Sequence, residues 1–475
     1  MKSLTASLRI ALPALIILSV IHIEAKHPPA AKRPNVLFLF ADDMRPDAIG
    51  ALGHPVIKTP NLDKLIADGT TFTRAITAYP ICHVSRSEIF SGRSAFRSGY
   101  YYRGRDYEPD VKLWPETMRQ AGYHTWYVGK WHSPRDAWKT GFEETNGLYS
   151  GGGGGAKARI TQYDYKQREV TGYRGWTFKT DKNKPQPERG VGLTPNISSD
   201  FADAAIELIE RKPDKPFFLQ VNFTAPHDPL LIPPGYRNAY PPSKSPLPGN
   251  YRPEHPFDHG NFDGRDERLL PWPRTKPDIR ADLSVYYAII AHMDEHIGRI
   301  IESLRKTGQL EHTIIIFSSD HGLAVGSHGL MGKQNQYEHS AGVPLIIRGP
   351  GIPGGRKSAV QCYLRDLYPT ICELAGIATP SSVQSRSLAS AIRGSAKEIH
   401  PFVVGYFTNT QRMIREGNWK LIWYPHLARY QLFDVKNDPL ELNNVFADKK
   451  QGQRVFSLRN RLENWLRENN DPLFD

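Results

Sequence analysis

The strongest constraint on the fold is a recurring pattern, a short apolar run that stops at a cluster of charged and polar residues. Asn35–Phe40 (NVLFLF) runs into Ala41-Asp42-Asp43, and His124–Val128 (HTWYV) into Gly129-Lys130-Trp131-His132. Phe217–Phe223 (FFLQVNF) leads to Thr224-Ala225-Pro226-His227-Asp228, and Thr313–Phe317 (TIIIF) to Ser318-Ser319-Asp320-His321-Gly322. Val343–Ile347 is a fifth run, closed by Arg348-Gly349-Pro350. β-Branched and aromatic runs without polar alternation suit strands buried on both faces of a parallel sheet. Helical periodicity lies between them, in Thr59–Ala67, Glu116–Gln120, Asp200–Glu210 and Ala281–Lys306. The alternation predicts an α/β fold with a large mixed, mostly parallel sheet sandwiched by helices. Ligands of such sheets bind beyond the carboxyl ends of the strands, so the polar clusters form the candidate site.

The remaining chain divides around this core. Residues 1–25 place Lys2 and Arg9 before an uncharged apolar stretch, Ile10–Ile23, that ends at Glu24-Ala25. That order of charge, apolar core and small residue predicts a secretory signal peptide; the stretch falls short of the roughly 20 residues that span a membrane. No later segment is long and apolar enough to span, so export to the periplasm or medium is expected. Residues 26–396 form the expected catalytic domain. Within it, Gly151–Gly155 order only against other structure, and Pro233–Arg274 is expected to wrap the surface as an extended loop. Residues 397–475 change character, with short strands at Phe402–Phe407, Gln411–Arg415, Trp419–Trp423 and Gln431–Val435 before an amphipathic helix at Val455–Arg467. They predict a smaller α+β subdomain.

Hydrophobic residues make up 39% and charged ones 23%, which excludes a disordered chain. Three cysteines cannot build a disulfide framework; Cys362 and Cys372 flank a predicted helix, about 15 Å apart if it is continuous. The net charge of +12 points to an anionic partner. Nucleic acid is a poor candidate, because the basic residues are dispersed and no Arg-rich arm, zinc-finger spacing or RNP-like motif accompanies them. His292 and His296 share a helix face but lack the glutamate of a zincin motif, and read as structural. Asn196-Ile197-Ser198 and Asn222-Phe223-Thr224 are glycosylation sequons.

The segment from Tyr79 to Arg93 carries the chemistry. Ser85 and Glu88 have capping-box spacing, so a helix is expected to begin at Ser85 with Cys82 just ahead of it. A helix N-terminus with Arg86 beside it suits an anion. Cys82, Ser85, Arg86, Gly92 and Arg93 stand in register with the signature of the type I sulfatases of the alkaline-phosphatase superfamily, which this chain resembles from about Arg33 to Ala375. It departs at Val84, Phe90 and Ser91, where the family has Pro, Leu and Thr. Asp42–Pro46 and Ser319–Gly322 look most like the iduronate-2-sulfatase branch, and Gly332-Lys333 followed by Tyr337–Ser340 is a further family block.

The resemblance implies an alkaline-phosphatase-like sheet and sulfate-ester hydrolysis. It implies that a maturation enzyme oxidises Cys82 to formylglycine, whose hydrated form attacks sulfur. Asp42, Asp43, Asp320 and His321 would hold the metal, with oxygen-rich character favouring Ca²⁺ and Mg²⁺ as the alternative. Arg86 and Lys130 would orient the nucleophile, His132 would act as base, and His227 and Lys333 would bind sulfate and meet the leaving oxygen. His328 and Arg45 are candidates for the substrate's sugar or carboxylate.

Predicted export, the basic charge and the aromatic and Arg-rich loops at Arg97–Tyr107 and Tyr236–Arg268 favour a sulfated polysaccharide or oligosaccharide over a small aryl ester. Two other readings share the pattern. A phosphoester or phosphonate hydrolase of the same superfamily would keep the sheet and metal. If Val84 blocks maturation, the chain becomes a catalytically silent binder of sulfated glycans.

Overall fold

The computed structural model describes residues 33–101, 106–151 and 160–474. The expected signal peptide and Gly152–Gly155 lie outside them. Ten strands form the main sheet, in the order Arg356–Ser358, Thr70–Phe72, Leu345–Arg348, Thr313–Ser319, Asn35–Asp42, Phe217–Pro226, His124–Lys130, Glu144–Ser150, Thr177–Lys179 and Pro185–Val191. The five from Thr313–Ser319 to Glu144–Ser150 are mutually parallel. Leu345–Arg348 joins them antiparallel on one side and Thr177–Lys179 on the other, where Pro185–Val191 pairs antiparallel with Thr177–Lys179 in turn, so the sheet is mixed as expected.

Asn35–Asp42 lies at the centre and is buried along its whole length. Its side chains alternate between two cores. Leu37, Leu39 and Ala41 face the helices Pro60–Asp68, Ile197–Glu210 and Lys276–Lys306; Val36, Phe38 and Phe40 face Trp114–Gln120 and Leu367–Leu374. Burial on both faces explains why the run carries no polar alternation. Thr275 starts the 31-residue helix Lys276–Lys306 by accepting a hydrogen bond from the Asp278 amide, with Pro277 in the first turn.

Four consecutive strands, Phe402–Phe407, Gln411–Glu416, Trp419–Tyr424 and Arg429–Asp434, pair antiparallel in chain order. The helix Gly452–Glu468 buries Leu458, Leu462 and Leu466, spaced by four, as part of the same apolar cluster. That cluster also takes in Ile76, Tyr79, Val84 and Tyr337, so the C-terminal sheet backs the Cys82 helix directly.

One expectation fails here. Pro233–Arg274 does not simply cover the surface. It forms only the short 3₁₀ turns Pro242–Lys244 and Glu267–Leu269, yet buries His255, His259, Asp266, Glu267 and Arg274. Arg274 pairs with Glu267 at 2.7 Å, and the Glu267 carboxylate accepts the amides of Met331 and Gly332. A charged loop can enter the interior when its charges are paired and hydrogen-bonded. Cys362 and Cys372 are free and buried, in agreement with the absence of a disulfide expected there.

Candidate active site

The polar clusters meet at one end of the parallel strands. Asp42 closes its strand, and Asp43 follows with φ of 70°. That left-handed conformation is costly without glycine and concentrates at functional sites. The Asp43 amide donates to Asp320 Oδ1 at 3.2 Å, which ties the ends of two adjacent strands together. Lys130 closes its own strand, where the register slips between Val128 and Gly129. Gly129 has φ of 92°, and a Cβ there would lie 2.0 Å from the Asn222 carbonyl, so only glycine fits. The irregularity re-aims Lys130, whose Nζ donates to Asp42 Oδ2.

The Cys82 helix departs from its expected start. It spans Cys82–Ser91, with Ile81 as N-cap, and no capping box forms at Ser85. Ser85 Oγ instead donates to the Asp320 carbonyl at 2.7 Å. Glu88 accepts from the Ala95 amide and Arg365, both at 2.8 Å, and from the Tyr406 hydroxyl. Tertiary partners have taken both capping side chains, so the helix begins three residues earlier. Cys82 thereby enters the first turn, with Arg86 four residues on along the same face.

Cys82 Sγ is 3.3 Å from His321 Nε2 and 4.0 Å from Asp43 Oδ1, and the thiol hydrogen-bonds His132. Arg86 donates through Nε and Nη2 to Asp320 Oδ2 at 3.0 and 2.8 Å and lies 3.4 Å from Asp42 Oδ1. Its other terminal nitrogen is buried with no hydrogen-bond partner. Lys333 Nζ donates to both Asp43 oxygens at 2.9 and 2.8 Å, and His227 Nε2 is 3.9 Å from Asp43 Oδ2. Of these groups, Cys82, His132, His227 and Lys333 line a cleft of about 530 Å³.

Burial and the neighbouring Asp42 push Asp320 up to about 7, against the pull of His321 and Arg86. His321 rises to about 9, because Asp320, Cys82 and Asp43 outweigh burial. Burial would raise the Cys82 thiol, but Lys130, Lys333 and His321 hold it well below its ordinary range.

The donor set fits a hard divalent cation. Ligand atoms of Asp42, Cys82, Asp320 and His321 lie within 4.8 Å of one another, as do those of Asp42, Asp43, Cys82 and His227. The three buried carboxylates of Asp42, Asp43 and Asp320 supply the hard oxygen donors among these groups, beside the imidazoles of His321 and His227 and the Cys82 thiol.

The family described as Sulfatase matches residues 34–377, and the family described as N-sulphoglucosamine sulphohydrolase, C-terminal, matches residues 326–468. The chain belongs to the sulfatase family. An arylsulfatase of Clostridium perfringens is 30% identical over 453 residues, covering 90% of this chain and 93% of that relative. An N-acetylglucosamine-6-O-sulfatase of Bacteroides thetaiotaomicron is 25% identical over 545 residues, covering 99% and 93%. A protein solved with its substrate D-glucosamine-2-N,6-O-disulfate superposes with a TM-score of 0.72 at 24% identity, covering 93% of this chain and 99% of that one. The present protein is a sulfatase, an enzyme that hydrolyses sulfate esters.

Within this sulfatase, two of the residues expected to meet substrate lie elsewhere. Arg45 is buried against Asp47, the Leu323 and Ala324 carbonyls and Ser327, which occupy its guanidinium. His328 stacks on Tyr337 with centroids 4.1 Å apart, and its Nε2 meets the Leu440 carbonyl at 3.0 Å. Neither lines the cleft. Both follow or precede site residues closely in sequence, but their backbone carries the side chains into the interior.

Several cleft residues escaped sequence reasoning. The Tyr173 hydroxyl donates to Asp42 Oδ2, and its ring lies 5.2 Å from Lys130 Nζ. Tyr173 has φ of 58°. No motif surrounds it, and only tertiary folding reveals it. His83, Trp176 and Gln334 also line the cleft, as do Tyr100, Asn261, Arg265 and Asp266 from the two aromatic and Arg-rich loops singled out in the sequence. Among the described residues, no helix is long and apolar enough to cross a membrane.

Proposed function

We propose that this sulfatase removes O-sulfate from an exported, sulfated carbohydrate, with Cys82 converted to formylglycine by a maturation enzyme. The observation that carries the reading is the position of Cys82 Sγ. It belongs to both groups of potential metal ligands, while Lys130, Lys333, His132 and His227 surround it at the cleft floor. Asp42, Asp43, Asp320 and His321 would hold one Ca²⁺, with Mg²⁺ the alternative. Formylglycine would supply the attacking oxygen, and the metal would supply Lewis acidity and neutralise sulfate charge.

The protein's own groups do the rest. Arg86 fixes the Asp320 carboxylate and brings its charge within one helical turn of position 82. Lys130 and Lys333 bring two positive charges to buried positions beside residue 82, where charge developing on sulfate oxygens is stabilised. His132 lies within hydrogen-bond reach of position 82 and takes a proton there. Burial holds His132 below its ordinary value, which favours the neutral form a base requires. His227 and Lys333 contact sulfate and the leaving oxygen. A carbohydrate is favoured because the aromatic side chains of Tyr100, Tyr173 and Trp176 line the cleft together with the amides of Asn261 and Gln334. The predicted signal peptide supports export.

Mass spectrometry of the tryptic peptide Ala75–Arg86, paired with sulfate release from sulfated saccharides, aryl sulfates and matched phosphate esters, tests the proposal. Formylglycine at position 82 and preferential desulfation of saccharides are expected. An unmodified thiol together with sulfate-glycan binding and no turnover would replace it with the silent binder, and faster phosphate release with the phosphohydrolase.

A further inference from the structure

The two sulfate-facing residues His227 and Lys333 come from separate segments, yet their rear sides are joined by three charged side chains. His227 Nδ1 is 2.6 Å from the Asp228 carbonyl and 2.9 Å from Asp228 Oδ1. Arg265 donates to both Asp228 oxygens at 2.7 Å and also pairs with Asp266. Asp266 Oδ2 in turn lies 3.8 Å from Lys333 Nζ and accepts from the Gln334 amide at 2.9 Å. Both carboxylates are nearly inaccessible, whereas Arg265 reaches the cleft wall. Gly172 closes the outer side; a Cβ there would lie 2.3 Å from Asp228 Oδ2.

We propose that Asp228 and Arg265 are positioning residues that hold His227 with Nε2 aimed at the leaving ester oxygen. The proposal rests on the reading of His227 as a group that meets that oxygen. Both atoms near Nδ1 are acceptors, so that nitrogen carries the proton and Nε2 faces the cleft. As the nucleophile oxygen at position 82 bonds to sulfur and the ester S–O bond breaks, the electron pair of that bond stays on the alcohol oxygen; a ring protonated on both nitrogens gives this oxygen its Nε2 proton and keeps the one on Nδ1. The Asp228 carboxylate keeps the Nδ1 side of the ring engaged and so fixes its orientation. Arg265 keeps that carboxylate in a bidentate grip. The same guanidinium holds Asp266, so one side chain sets the spacing of the two sulfate-facing arms.

The geometry predicts dependence on the leaving group. An alcohol such as a sugar hydroxyl needs the proton, whereas 4-nitrophenolate leaves without it. The holoenzyme and its Asp228→Asn, Arg265→Gln and His227→Gln variants are compared on 4-nitrophenyl sulfate and on a sulfated monosaccharide, with thermal melts to verify folding. For Asp228→Asn and Arg265→Gln, kcat on the sugar sulfate should fall about 10–100-fold, the usual cost of losing a supporting partner. The loss on the aryl ester should be several-fold smaller, and KM should change little. Equal losses on the two esters, or none, in Asp228→Asn while His227→Gln remains selective overturn the positioning role alone. Equal losses in His227→Gln overturn the reading of His227 beneath it.

Discussion

Glu88→Gln should unfold this protein more readily than its modest chemistry suggests. Glu88 sits in the middle of the Cys82 helix, and its Oε2 accepts from Arg365 at 2.8 Å, with side-chain exposures of 4% and 8% for the acid and the base. The Arg365 guanidinium lies 3.6 Å over the Tyr363 ring. Glutamine keeps the shape and can still accept from the Ala95 amide and the Tyr406 hydroxyl, but leaves the guanidinium without a counter-charge. Breaking a buried pair from one side costs about 3–5 kcal/mol. The retained hydrogen bonds place the variant near the lower end, about 3 kcal/mol, which is a large part of a typical total of about 5–15 kcal/mol.

The companion change is Arg365→Met in the Glu88→Gln background. It removes the stranded charge and keeps an apolar stem on Tyr363. The double variant should return to within about 1 kcal/mol of the parent, because a buried pair replaced by neutral side chains is close to neutral overall. Urea unfolding followed by tryptophan fluorescence gives each value from midpoint and slope. A loss below about 1 kcal/mol in Glu88→Gln, or losses that simply add in the double variant, would refute the reasoning.

Removing divalent metal by chelation should abolish sulfate release, and Ca²⁺ or Mg²⁺ should restore it; undiminished activity after exhaustive chelation would contradict the metal site. Tyr173→Phe deletes the hydroxyl that donates to Asp42 Oδ2, and should raise the half-saturating metal concentration about 10–100-fold; an unchanged titration would remove Tyr173 from that role. Acid should destabilise the fold through its buried histidines. Burial drives His255 to about 4 and His328 to about 3, with nearby Arg252 adding to both, and also lowers His259 and His339. The unfolded chain binds these protons near 6.5, so stability present above that pH is lost as pH falls from about 6.5 toward 4, about 3 kcal/mol for one such group. Unfolding free energy measured across that window should show this fall, and His255→Phe should reduce the slope by about one proton; a flat profile would count against it.

The residues that sequence reasoning placed well share one property: each ends or follows a strand that an unbroken apolar run announces. Asp42, Lys130, His227 and Asp320 could be located because a parallel sheet gathers its strand ends, whatever happens between them. Reasoning failed where a side chain's destination depends on contacts distant in sequence. Ser85 and Glu88 have the local spacing of a cap, but Asp320 and Arg365, both more than 230 residues away, win those two side chains. Arg45 and His328 have the residue types of substrate ligands, yet backbone carbonyls and Tyr337 take them first. Tyr173 and Arg265 lie in segments without periodicity, where composition alone assigns no direction. The same reasoning separates two kinds of site residue. Those on strand ends are fixed by the sheet and read from pattern, whereas those supplied by irregular loops depend on buried charge pairing. Arg265 is the clearest example, because its two aspartates make a position that looked like exposed loop part of the active-site wall.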